Sequence, residues 1–226
     1  MGENKRVLII EDDQEISKLL TVILTKSGMD SVVAYSGTEG ILQLKNNNYD
    51  LILLDLMLPG MSGEELIKQV REESAIPIIV VSAKIDIEDK VHVLKMGADD
   101  YITKPFNQKE VIARVEVQLR KSSAHPARST EKVWRGLKIN PEKLSVSLEN
   151  KGLHLTNAEF DILSLFVSHP ERAFSKREIY ERIWKGTYLG DDNTISVHVS
   201  NLRKKIASIT SDEYIKTIWG VGFMLV

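Results

Sequence analysis

From Lys5 to about Lys121 short apolar runs alternate with segments whose apolar residues recur at helical spacing. Arg6–Ile10 (RVLII), Ser31–Ala34, Leu51–Leu54 (LILL), Ile78–Val81 (IIVV) and Tyr101–Thr103 predict strands. Four are rich in branched residues and bounded by acids, Gly or Pro. Gln14–Ser27, Thr38–Asn46, Gly63–Glu72, Ile87–Lys95 and Gln108–Lys121 predict helices. In the first, Ile16, Leu19, Leu20, Ile23 and Leu24 form one apolar face. Strand and helix alternating five times imply an α/β fold, a doubly wound (βα)5 parallel sheet covered on both faces. In such sheets functional groups gather beyond the carboxyl ends of the strands, where the strand order switches.

Ser122–Thr130 (SSAHPARST) has a linker's composition and no periodicity. Beyond it the pattern becomes α+β. Trp134–Ile139, Leu144–Leu148 and Leu153–Leu155 predict short strands, with Asn150-Lys151-Gly152 as a hairpin signal. Asn157–Ser168, Lys176–Lys185 and Asn193–Ile206 predict helices. Thr156 and Ser175 suit the N-caps of the first two, and Glu159 completes a capping box with Thr156. Tyr214–Ile218 and Phe223–Leu225, joined by Trp219-Gly220-Val221-Gly222, predict a closing hairpin. The division expected is residues 1–121, a linker over 122–131, and residues 132–226.

Composition narrows the function classes. A 226-residue chain with 42% hydrophobic and 27% charged residues can bury two cores. The absence of cysteine excludes disulfides, thiolate metal sites and thiol nucleophiles, and a reducing cytosol fits. No apolar run is long enough to span a bilayer, and the start lacks a signal peptide's apolar stretch. A cytoplasmic protein without membrane partners is expected. Residues 1–121 carry 15 Lys+Arg against 20 Asp+Glu, a net of −5; residues 122–226 carry 15 against 12, a net of +3. The halves should meet different partners, with nucleic acid a candidate for the second.

Chemistry collects at the predicted strand ends. Glu11, Asp12 and Asp13 follow the first strand, and Asp55 follows the third. Such carboxylates repel unless a cation neutralises them, and all-oxygen ligands suit Mg²⁺. Ser82 ends the fourth strand and Lys104 follows the fifth. A carboxylate nucleophile, a hard divalent ion, a hydroxyl and a lysine make up a phosphoryl-transfer site. Any one of these residues could be bland, and Asp13 suits an N-cap. Their coincidence at four strand ends favours chemistry.

VLIIEDD, LILLDLMLPGMSG, PIIVVSAK and GADDYITKPF resemble, in order and spacing, a response-regulator receiver over residues 5–121. The resemblance implies a flavodoxin-like fold with Asp55 as phospho-acceptor. It places Mg²⁺ among the Glu11, Asp12 and Asp55 side chains and the Met57 backbone carbonyl oxygen. Ser82 becomes the switch hydroxyl, Tyr101 the aromatic that turns inward, and Lys104 the partner of the phosphoryl group. The phosphoryl donor implied is a sensor histidine kinase. Tyr101 as an ordinary core or surface aromatic stays open. No base lies among these residues, so slow hydrolysis and no enzyme activity are expected.

Asn193–Ile206 carries Ile195, Val199, Leu202 and Ile206 on one face and Ser196, Ser200, Arg203 and Lys204 on another, a form that can enter a major groove. With LTNAEFDILSLF, SKREIYERIW, VHVSNLRKKI and WGVGF, residues 132–226 resemble the winged-helix domain of the OmpR/PhoB subfamily. That implies a recognition helix at Asn193–Ile206 reading double-stranded promoter DNA, with Asn193, Thr194, Ser196, Val197, Ser200, Asn201, Arg203, Lys204 and Trp219 as DNA-binding residues. It also implies a loop at Lys185–Asp192 offered to RNA polymerase, and a terminal wing. Ser200 and Asn201 replace the arginines of some members, so Asn201 is expected to read adenine while Arg203 and Lys204 hold phosphates. Trp219 either stacks at the backbone or fills the base of the wing; packing is the expectation.

Charges matching the subfamily predict a phosphorylation-driven homodimer. Lys90 should meet Glu110, and Asp99 or Asp100 should meet Arg114, beside an apolar patch of Val91, Leu94 and Ala113. The nine-residue linker can span about 30 Å, so the DNA-binding halves should lie head to tail on direct repeats. Two rivals stay open: an enzyme running a phosphoaspartyl intermediate, and a regulator whose DNA binding ignores phosphorylation.

Overall fold

The computed structural model describes residues 4–83, 86–123, 131–184 and 192–226. The chain divides into two compact units, Met1–Ser123 and Ala124–Val226. In the first, β1 (Arg6–Ile10), β2 (Asp30–Ala34), β3 (Leu51–Leu54), β4 (Ile78–Ser82) and β5 (Asp100–Thr103) form one parallel sheet in the order β2-β1-β3-β4-β5. The helices between and after them are α1 (Gln14–Lys26), α2 (Gly37–Asn46), α3 (Gly63–Glu73), α4 (Ile87–Met96) and α5 (Gln108–Ser123).

The strands are apolar without alternation because both faces are covered. Val7, Ile9, Leu53, Val81 and Ile102 pack with Leu20, Leu24, Val111 and Val115 from α1 and α5. The residues between them, among them Leu8, Ile10, Ile52, Leu54 and Val80, are equally buried and face the other layer. On that side a Cβ on Gly40 of α2 would lie 2.5 Å from Ile10 Cδ1. The order reverses between β1 and β3, so the segments after those strands flank the crevice expected at a switch point.

In the second unit β6 (Lys132–Trp134), β7 (Leu137–Asn140), β8 (Ser145–Leu148) and β9 (Lys151–Leu153) form an antiparallel sheet. The single strand expected over Trp134–Ile139 is therefore a hairpin. Arg135 takes a φ of 51° before Gly136, which reverses the chain. Three helices follow, α6 (Asn157–Ser168), α7 (Lys176–Trp184) and α8 (Asp192–Ala207), then the two-stranded hairpin β10 (Ile215–Ile218) and β11 (Gly222–Leu225). The Thr156–Glu159 capping box starts α6, and Lys205 of α8 adds an ion pair to Glu159 at 2.6 Å. Tyr180 stacks on Trp184 at 5.3 Å and Trp184 on His198 at 6.2 Å, which fastens α7 to α8. A Cβ on Gly222 would fall 2.0 Å from the Phe174 carbonyl oxygen, so only glycine lets the hairpin close on the segment before α7.

Among the described residues no helix is long and apolar enough to cross a membrane. The loop over Lys185–Asp192, apart from Asp192 at the start of α8, and the linker from residue 124 to 130 lie outside the described residues.

Candidate functional site

Four of the five strand ends of the first unit deliver the polar groups. Glu11 follows β1 and is buried, while Asp12 beside it is exposed. Asp13 turns away to cap α1, accepting from the amides of Glu15 and Ile16. Asp55, 6% exposed, follows β3, and its Oδ1 accepts from the Met57 amide at 3.1 Å. A Cβ on Gly63 would meet the Asp55 carbonyl oxygen at 2.5 Å, so glycine at the start of α3 lets that helix seat directly against the Asp55 peptide. Carboxylate oxygens of Glu11, Asp12 and Asp55 all lie within 4.8 Å of one another, a spacing that suits a divalent cation.

Lys104 follows β5 and enters a cis peptide bond with Pro105. Its Nζ lies 2.6 Å from Asp55 Oδ2 and donates to Glu11 Oε1 at 2.9 Å. Glu11 Oε2 is nearer, at 2.7 Å, but out of line for a hydrogen bond. Burial works to lower the Lys104 ammonium, but hydrogen bonds to Asp55 and Glu11 and the attraction of their charges together carry it above its ordinary value. Burial pushes the Glu11 carboxyl up to about 7, and the neighbouring Asp55 charge adds to that against the pull of Lys104. Ser82 at the end of β4 is fully buried, and its side chain shares a hydrogen bond with the hydroxyl of Tyr101. Tyr101, 6% exposed, is thus turned inward; burial pushes its phenol up, against that hydrogen bond.

The raised Glu11 carboxyl has a consequence for stability. The unfolded chain releases this proton near pH 4.5 and the folded chain near 7. Glu11's favourable contribution is therefore complete below pH 4.5 and lost as pH rises to about 7. In chelator-treated solution, urea unfolding should show stability falling between pH 5 and 7.5, with a smaller fall in Glu11→Gln. Parallel profiles for the two chains would contradict this assignment.

The face expected for dimerisation is internally paired. Asp99 is wholly buried and binds Arg71 at 2.9 Å, so it does not present itself to another chain. Asp100 is also buried, and Arg114 binds it at 2.7 Å while reaching Glu110 at 3.0 Å. The expected Asp100–Arg114 pair thus forms within one chain. Leu94 is 1% exposed and belongs to the core rather than to a surface patch, while Val91 is half-buried and Ala113 exposed. Within the single chain Lys90 lies over the Tyr101 ring.

In α8 the surface is narrower than the sequence pattern suggested. Ile195, Val199, Leu202 and Ile206 are buried as expected, but so are Thr194, Val197 and Asn201. Asn201, expected to reach into a groove, is 7% exposed and faces the fold. Asn193, Ser196, Ser200, Arg203 and Lys204 keep exposed surface, a stripe about 100° wide at 3.6 residues per turn. Arg203, expected at phosphates, makes hydrogen bonds within the unit. Its Nε donates to the Ile215 carbonyl oxygen at 2.9 Å and its NH2 to Thr217 Oγ1 at 2.8 Å, tying the helix to β10. Trp219 also departs from expectation. It is 91% exposed at the hairpin tip, because Gly220, with a φ of 74°, turns the chain before any core can cover it.

Arg71 is the positioning residue that the sequence did not reveal. Besides Asp99 it donates to the carbonyl oxygens of Gly97, Ser74 and Ile76, joining the end of α3 to the starts of β4 and β5. Its partners lie 3 to 28 positions away and share no motif with it.

Residues 7–116 match the response regulator receiver domain family, and residues 150–225 match the C-terminal domain of transcriptional regulatory proteins. The chain is 41% identical over 223 residues to the uncharacterized transcriptional regulatory protein YcbL of Bacillus subtilis, covering 96% of this chain and 99% of that one. It is 35% identical over 219 residues to the response regulator ArlR of Staphylococcus haemolyticus, covering 97% and 98%. The crystal structure of DrrB, a Thermotoga maritima OmpR/PhoB homologue, is similar at a TM-score of 0.53 and 26% identity, covering 99% of this chain and 100% of that one.

Proposed function

This chain belongs to the OmpR/PhoB-type response regulators of two-component systems, and from that premise we propose that Asp55 accepts a phosphoryl group from a sensor histidine kinase to control DNA binding by the second unit. The family consists of transcriptional regulators rather than enzymes. The observation that carries the reading is the Asp55 carboxylate, held 2.6 Å from Lys104 Nζ with two further carboxylates beside it. An Asp55 oxygen attacks phosphorus as the bond to the donor's imidazole nitrogen breaks, and that nitrogen takes a proton from solvent. Lys104 offsets charge on the phosphoryl oxygens, and Ser82 offers them a hydroxyl. Glu11, Asp12, Asp55 and the Met57 carbonyl oxygen would hold Mg²⁺, which supplies further positive charge there.

The same reading assigns residues 1–121 to the receiver, 122–131 to the linker and 132–226 to the DNA-binding domain of a cytoplasmic protein. Lys90, Val91, Glu110, Ala113 and Arg114 remain the proposed contacts of a phosphorylated dimer, with Arg114 exchanging or sharing its internal partners. RNA polymerase is proposed to meet residues 185–192.

In the second unit Asn193, Ser196 and Ser200 face the major groove, Lys204 neutralises a phosphate, and Trp219 touches DNA from the wing. Lys204→Ala should weaken binding to all sequences alike and lower the log–log salt slope by about 0.9. Ser196→Ala or Ser200→Ala should alter sequence preference, whereas Asn201→Ala should leave it unchanged. Relaxed preference in Asn201→Ala alone would reverse this orientation of the helix. Footprinting of the phosphorylated chain tests the arrangement: direct repeats with centres roughly 10–11 base pairs apart are expected, and inverted repeats would overturn it.

A further inference from the structure

One chain of contacts leads from the acidic pocket to α4. The Ser82 hydroxyl, at the strand ends beside Asp55 and Lys104, shares a hydrogen bond with the Tyr101 hydroxyl. The Tyr101 ring is covered in turn by Lys90, whose Nζ lies 5.5 Å from the ring centroid. Glu110, the partner expected for Lys90, has its Oε1 3.0 Å from Arg114. Among the described residues, the contact shown for Lys90 is this ring.

We infer that Lys90 is a positioning residue for Tyr101: its ammonium, over the ring face, holds the aromatic inward and so couples α4 to the Ser82 hydroxyl. The ring face is the negative pole of the aromatic quadrupole, and a cation over it is attracted most when water is largely excluded. Tyr101 is buried and Lys90 half-buried, so screening at this contact is weaker than on an open surface. An uncharged side chain of similar length would fill the space without the attraction. The ring would then leave its inward place more often, and the Ser82 hydroxyl would lose a partner. The inference rests on the reading of the pocket as a phosphoryl-acceptor site only for its consequence; the placement of the ring can be tested without phosphorylation.

The test uses the full chain labelled with 3-fluorotyrosine, with the Tyr101 fluorine resonance identified by its loss in Tyr101→Phe. In the unphosphorylated chain, Lys90→Met should move or broaden the Tyr101 resonance while those of Tyr35 and Tyr49 stay in place. The inward population should fall about two- to five-fold against the outward one. Lys90→Arg keeps a cation over the ring and should restore the wild-type resonance. A Tyr101 resonance unmoved in Lys90→Met, or moved equally in Lys90→Arg and Lys90→Met, would overturn the inference. Failure of the pocket reading would look different: the wild-type chain would take no label at Asp55 while the Lys90 series still moved the resonance.

Discussion

Asp55→Asn is expected to take up no phosphoryl group from acetyl phosphate and Mg²⁺, while the wild-type chain gains one. The loss should be complete because two things fail together. An amide has no anionic oxygen to attack phosphorus. Its NH2 would also stand where Oδ2 now accepts from Lys104 at 2.6 Å, setting two donors against each other. The Met57 amide can still donate to the remaining oxygen, so the loop keeps its shape and the effect is chemical rather than structural. Glu11→Gln combined with Asp12→Asn should weaken labelling strongly without moving it to another residue. Mass spectrometry of the intact chain and its peptides reads all three. Undiminished labelling of Asp55→Asn would refute the assignment.

Arg71→Met should destabilise the first unit by about 3–5 kcal/mol, the cost of leaving one member of a buried ion pair without the other. Asp99 is wholly buried, and its Oδ2 would keep the Ile78 amide but lose the guanidinium. The carbonyl oxygens of Gly97, Ser74 and Ile76 would lose their donor in the same step. Methionine keeps most of the packing of the arginine stem, so the loss isolates the polar contacts. Urea unfolding of the full chain should show the first unit's transition moved to lower denaturant, and thermal unfolding should show it lowered on the order of 10 °C. An unchanged transition would mean that Arg71 is a surface cation whose bonds water replaces.

These two sites differ in how far the sequence disclosed them. The acidic pocket was legible because parallel strands buried on both faces leave near-continuous apolar runs. The first polar residue after such a run then falls at a strand end, as Glu11, Asp55 and Ser82 do. The Arg71–Asp99 pair was not, because it joins α3 to a loop 28 positions later through packing that no local pattern records. The same limit explains Asn201. Its place beside Ser200 suited an outward helix face, but α8 is enclosed on more than one side, and residues flanking the apolar stripe are covered too. Trp219 erred in the opposite direction: a large aromatic reads as core, yet the tight turn at Gly220 leaves the hairpin tip nothing to pack against. The hairpin between β6 and β7 was missed because Arg135 adopts a left-handed backbone that its residue type does not announce.

The proposed function requires that phosphorylation of Asp55 set the DNA affinity of the second unit. The most direct measurement is the anisotropy of a fluorescent duplex, selected from random DNA by the phosphorylated chain, titrated with four proteins at one salt concentration. These are wild type and Asp55→Asn, each before and after acetyl phosphate with Mg²⁺. Tighter binding after phosphorylation is expected in wild type alone, with both forms of Asp55→Asn matching the untreated chain. Equal affinity in all four, or a gain that survives Asp55→Asn, would contradict it.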